Sequence, residues 1–172
     1  MTAKPLGNSP YLFLLIPALC LLSACQRYSF AINENVVYEP PPLFNAFQIN
    51  DAALRKCVEG AIAEQAIFKA GELKKLACPP GNIQSLAGIE TFDGLQQLGL
   101  AQNQLRNIEI LGQLKDLRQL DLRRNQVVNF TTLKALQKLE RIYTKGNVTA
   151  DCATLPEDSS KLNIERPEHC GA

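Results

Sequence analysis

Six cysteines and one histidine are the residues of this 172-residue chain with the most chemistry in them. A thiol can form a bridge, ligate a metal or attack as a nucleophile, and its neighbours decide which. Attack needs a base, but the single histidine, His169, stands near the C-terminus with no nucleophile motif around it. No glycine-rich phosphate loop is present either. Catalysis and cofactors are therefore not expected, and no metal site is assigned. Cys57 and Cys78, then Cys152 and Cys170, form two sequence-local pairs. Three chemistries fit them: two disulfides, buried free thiols, or a metal held by Cys152, His169 and Cys170. Adjacent His169 and Cys170 lack the usual ligand spacing of a structural zinc site.

Cys25 stands in a different setting. Lys4 and the apolar run Tyr11–Leu22, twelve residues interrupted by Pro17, read as a secretory signal peptide. As a helix the run would be about 18 Å long, against a bilayer core of about 30 Å. It ends in Leu22-Ser23-Ala24-Cys25, which resembles the lipobox of bacterial lipoproteins. Cys20 has no such setting, because Leu19 precedes it. The resemblance implies that residues 1–24 are removed and that Cys25 carries diacylglycerol and an amide-linked acyl chain such as palmitate. Gln26, rather than Asp, implies sorting to the outer membrane of a Gram-negative cell. Export also implies an oxidising compartment, where cysteines pair. Residues 25–48 then form a tether. Gln26 to Pro42 has no helical period, and the prolines 40–42 favour an extended stretch at about 3.1 Å per residue, although Val36 and Val37 could form a short strand.

The elements that must position everything else are repeats. From Leu95 the chain reads LQQLGLAQNQLRNIEILGQLKD, and steps of 22 residues align Leu73, Leu95, Leu117 and Leu139. Behind these run Leu76, Leu98, Leu120 and Ile142, then Cys78, Leu100, Leu122 and Thr144, and further apolar columns beginning at Ile83, Leu86, Ile89 and Phe92. The pattern resembles the 22-residue leucine-rich repeat, LxxLxLxxN, of bacterial internalins over about residues 49–155. That resemblance implies an α/β repeat fold, a short right-handed solenoid with parallel strands on its concave face, to which the residues at its two ends add an expected helical N-terminal cap and disulfide-stapled ends. The in-register units are 73–94, 95–116, 117–138 and 139–160, with leucine-rich repeats over 73–155, a cap over 49–72 and a C-terminal cap or tail over 156–172. In each strand the LxL leucines turn inward while their neighbours face solvent. One coil cannot bury its leucines alone, so stacking creates the core.

Asn103, Asn125 and Asn147 share one column at the turn after each strand. Turned inward, such a ladder would hydrogen-bond the backbone of adjacent coils. At the N-terminal end, Asp51 is a candidate N-cap for a helix over about 51–68, with Leu54, Val58, Ala61 and Ile62 at helical spacing. Because the solenoid separates its two ends, pairing is expected within each: Cys57 with Cys78 and Cys152 with Cys170. Each bridge closes a loop of about twenty residues, contributing roughly 3 kcal/mol.

Formal charge is +1 over the whole chain and zero once Lys4 is gone, which leaves 17 basic and 17 acidic residues. Nothing there would draw nucleic acid. The candidate ligand face comprises the outward strand residues Lys75, Gln97, Gln119, Asp121, Arg123, Arg141, Tyr143 and Lys145. Its later coils gather Arg123, Arg141 and Lys145 with Tyr143 around Asp121, a local basic patch suited to an acidic protein or an anionic envelope polymer. Four strands at about 4.8 Å spacing make a small face. The expectation is a monomeric, non-catalytic binding module anchored to the envelope. The competing reading is a structural spacer whose tether matters more than its face.

Overall fold

The computed structural model describes residues 30–32, 35–38 and 41–171. Cys25, the lipobox and the signal segment lie outside them. Within the N-terminal unit, strand β1 (Phe30–Ile32) pairs antiparallel with β2 (Asn35–Tyr38), with an irregularity between Phe30 and Ala31. The segment expected to be extended thus contains a strand pair, and Val36 and Val37 fall in β2. Paired β-branched residues and tyrosine are good strand formers.

The second unit begins at Pro42. Its one α-helix among the described residues, α1, spans Ala52–Glu64 and buries Leu54, Val58 and Ile62, spaced at every fourth residue. It stops short of the expected Phe68. Ala66 adopts φ 51°, and the Ile67 N–H bonds back to the Ile62 carbonyl at 3.0 Å. That is a Schellman stop, with alanine at the left-handed position that glycine usually fills, and it tucks Ile67 into the core.

Five parallel strands follow in sequence order: β3 (Lys75–Ala77), β4 (Gln97–Gly99), β5 (Gln119–Asp121), β6 (Arg141–Tyr143) and β7 (Asn163–Glu165). Each pair keeps the 22-residue register, from Leu76↔Leu98 to Ile142↔Ile164. The fifth strand corrects the expectation of four. Ile164 continues the core column, but Lys161 and Arg166 replace the flanking leucines and hide the repeat in the sequence. Opposite the strands run short 3-10 turns at Ile89–Thr91, Glu109–Gln113, Thr131–Ala135 and Cys152–Thr154. The core is the set of aligned columns, all buried; Thr144, standing where leucine is expected, is buried too. Its hydroxyl and its N–H both donate to the Glu165 carbonyl at 2.8 Å, so β7 satisfies the hydroxyl that burial would otherwise penalise.

The N-terminal end is sealed further upstream than residue 49. Leu43, Phe44 and Phe47 pack against the core, and Phe92 meets Phe44 and Phe47 edge-on at centroid distances of 5.9 and 5.4 Å. These apolar side chains make the end of the expected tether part of the cap. Gly88 is required there: its φ is 98°, and a Cβ would run into the Gln48 carbonyl. No helix among the described residues is long and apolar enough to cross a membrane.

Candidate functional site

The strand face is built by alternation. Leu76, Leu98, Leu120, Ile142 and Ile164 point inward, so the residues on either side of each point out. One outward row aligns Lys75, Gln97, Gln119, Arg141 and Asn163; the next aligns Ala77, Gly99, Asp121, Tyr143 and Glu165. Lys75, Arg123, Arg141 and Lys145 are exposed, whereas Gln97, Gln119, Asp121 and Tyr143 are half-buried. The first half of the face therefore carries small or neutral residues around Lys75, and the second half carries the charge.

In that charged half the Arg123 guanidinium makes a fork to the Asp121 carboxylate, Nη2 to Oδ2 at 2.6 Å and Nε to Oδ1 at 3.0 Å. Its carbon lies 5.2 Å from the centroid of the Tyr143 ring. The hydrogen bonds that Arg123 donates to Asp121, then the charge of that carboxylate, hold Arg123 still more firmly protonated than usual. The fork and the ring fix a long side chain that would otherwise be mobile.

The fifth strand changes the electrostatics anticipated for this patch. It places Glu165 beside Tyr143. The following turn places Glu168, whose carboxylate accepts from the Gly146 N–H at 3.2 Å. Its own backbone N–H and that of Gly146 keep Glu168 below the usual glutamate range. A cleft of about 410 Å³ lined by Arg123, Arg124, Lys145, Glu165 and Glu168 is thus of mixed charge. Arg123 is neutralised by Asp121, and Arg124, Arg141 and Lys145 form no ion pair among the described residues. The sequence signal for the two glutamates was the 22-residue step carried once more past Tyr143 and Gly146.

The asparagine column is structural. Asn125 accepts from Leu105 N–H at 3.0 Å and donates to the carbonyls of Leu100 and Leu122 at 2.9 and 3.1 Å. Asn147 accepts from Val127 N–H and donates to Leu122 and Thr144, while Asn103 accepts from Ile83 N–H and donates to Leu100 and Ala101. Each turn is closed by a preceding residue of positive φ: Gln102 at 58°, Arg124 at 52° and Gly146 at 80°. Only Gly146 betrays that column in the sequence.

Cys57–Cys78 and Cys152–Cys170 are bridged, each with Cα atoms 5.4 Å apart. The donor atoms of Cys152, His169 and Cys170 lie within 4.8 Å of one another, but the two sulfurs are bonded together and the His169 Nε2 sits 2.9 Å from the Ala150 carbonyl oxygen. Of the three chemistries open to these cysteines, the structure has the bridges.

The family described as Leucine Rich repeats (2 copies) matches residues 93–135. No curated protein matches the chain in sequence. Among solved structures, an internalin of Listeria monocytogenes is 24% identical with a TM-score of 0.52, covering 56% of this chain and 30% of its own. Internalin C2 of the same organism is 20% identical with a TM-score of 0.51, over 56% of this chain and 46% of its own. The chain therefore spans less than half of either structure. Aligned columns, five parallel strands, a helical cap, two bridges and these likenesses together make the second unit a short leucine-rich-repeat solenoid of internalin-like fold.

Proposed function

We propose that this chain is a lipid-anchored, non-catalytic binding module of the bacterial envelope, held by Cys25 to the outer membrane, with the charged half of its strand face as the recognition surface. The fold supports a protein-binding role, since leucine-rich-repeat proteins generally bind proteins. The observation that carries the choice of surface is Arg123, locked by Asp121 and laid over Tyr143, beside Arg141 and Lys145, which have no ion-pair partner among the described residues. A rigid arginine–tyrosine pair flanked by open cations is hot-spot chemistry. Asp121, Glu165 and Glu168 would repel a uniform polyanion, so a protein with its own pattern of charges suits the face better than an anionic polymer.

Arg141→Glu with Lys145→Glu is the test, scored by crosslinked capture of partners on intact cells. Capture should fall, whereas Arg106→Glu with Lys134→Glu, off the face, should leave it unchanged. Equal losses from both pairs would remove the face from consideration. The spacer reading draws support from the neutralisation of Arg123 by Asp121. Shortening residues 26–40 with the repeats intact would abolish function under that reading and spare it under ours.

A further inference from the structure

The two edges of the five-stranded sheet are treated differently. At the C-terminal edge, Ile164 turns its N–H outward and Asp158 Oδ1 accepts it at 3.0 Å, braced by Arg166 through Oδ2. That N–H is thereby withheld from any further strand, one of the ways a sheet edge is blunted. At the N-terminal edge the ladder shows which groups of β3 are committed. Gln97 N–H donates to Lys74 O, and Cys78 N–H donates to Gly99 O. By parity the even-numbered residues of β3 bond β4, so Lys75 and Ala77 direct their backbone groups the other way. The Lys75 carbonyl accepts from Gln65 Nε2 at 3.0 Å. The N–H groups of Lys75 and Ala77 and the Ala77 carbonyl have no protein partner among the described residues.

Lys75 and Ala77, which carry these groups, line a cleft of about 520 Å³ between β3 and α1, together with Lys56, Gly60 and Pro79 among others. A Cβ built on Gly60 would meet nothing within 4 Å, so the helix side is open. Lys56 and Lys75 outnumber Glu64 around it. We propose that this cleft binds an extended, acidic segment of a partner protein, which adds to β3 as a further strand. Backbone groups at a two-residue spacing recognise an extended chain, small side chains leave room for it, and the lysines favour carboxylates beside them. This surface is separate from the charged half of the strand face and does not depend on it.

The test uses the full chain and the acetylated peptide Val-Glu-Val-Glu-Val, with Val-Lys-Val-Lys-Val as the charge control. The acidic peptide should shift the amide resonances of Lys75 and Ala77 and slow their hydrogen exchange; the basic one should bind at least tenfold more weakly. Ala77→Pro deletes a donor that faces away from the ladder, a place where an edge strand tolerates proline, and should weaken binding at least tenfold. Gly60→Leu, which fills the cleft from the helix side, should do the same and keeps the test decisive if the proline variant fails to fold. Arg141→Glu with Lys145→Glu should leave peptide binding unchanged, so this proposal and the strand-face function fail independently. Unchanged affinity in a folded Ala77→Pro or Gly60→Leu variant, or shifts confined to other surfaces, would overturn it. So would a concentration-dependent dimer that either variant abolishes, since the occupant would then be a second copy of the chain.

Discussion

Asp51 does two jobs with two oxygens, and a substitution series can separate them. Its Oδ1 accepts from the N–H groups of Ala53 and Leu54, both at 3.0 Å, which caps α1. Its Oδ2 accepts from Gln84 and Ser85 at 2.8 and 3.1 Å, which ties the helix to the first coil. Asp51→Ser keeps a good N-cap oxygen but is too short to reach the coil, whereas Asp51→Ala loses both. The cap contributes about 1 kcal/mol. The coil bonds are charge-assisted, but Gln84 and Ser85 are exposed and water can replace the carboxylate, so the pair contributes about 1 kcal/mol as well. Serine should therefore cost about 1 kcal/mol and alanine about 2 in urea unfolding at pH 7. Burial pushes the Asp51 carboxyl up, yet backbone donors, Leu54 foremost, bring it below the ordinary aspartate value of 3.8. A lowered value in the folded state means stability that is present above the unfolded value and lost as pH falls through the folded one. The gap between wild type and Asp51→Ala should thus begin to narrow below about pH 4, the unfolded value, and go on closing as pH falls through the lower folded one. A serine variant as stable as wild type, or a gap independent of pH, would refute the bridging role.

Three further outcomes are expected, the last of them from the sequence alone. Leu120→Ala, in the centre of the stack, should cost about 2–5 kcal/mol, Gln119→Ala under about 0.5, and Asn125→Ala about 1–3, all read by chemical denaturation; equal small effects would mean the register is wrong. Ala66→Gly should raise stability by about 0.5–1 kcal/mol, because glycine relieves the left-handed strain at φ 51°, and a loss would mean the helix stop has another geometry. Cys25→Ser should abolish labelling by a radiolabelled fatty acid, and membrane retention after salt and carbonate washes would contradict the lipid anchor.

The 22-residue period determined the strand register, the inward leucines and the shared column of asparagines, and its resemblance to leucine-rich repeats implied the solenoid. A repeat can announce these because each coil meets only its neighbours, so one alignment of columns fixes every contact along the stack. The local pairing of cysteines was legible for the same reason: a stack keeps its ends apart. The ends were legible only in part, in Asp51 and the helix it caps, because a terminal coil lacks a neighbour on one side and satisfies its groups with whatever the chain brings there. Only the folded structure showed Ile164 completing the core column without its leucines, Glu168 standing in for a missing coil at Gly146, and Phe44 and Phe47 closing on Phe92. The charge of the strand face was decided the same way. Sequence placed Arg123, Arg141, Tyr143 and Lys145 together, but the net field depends on through-space neighbours, and Glu165 and Glu168 reach that surface only because β7 docks on β6.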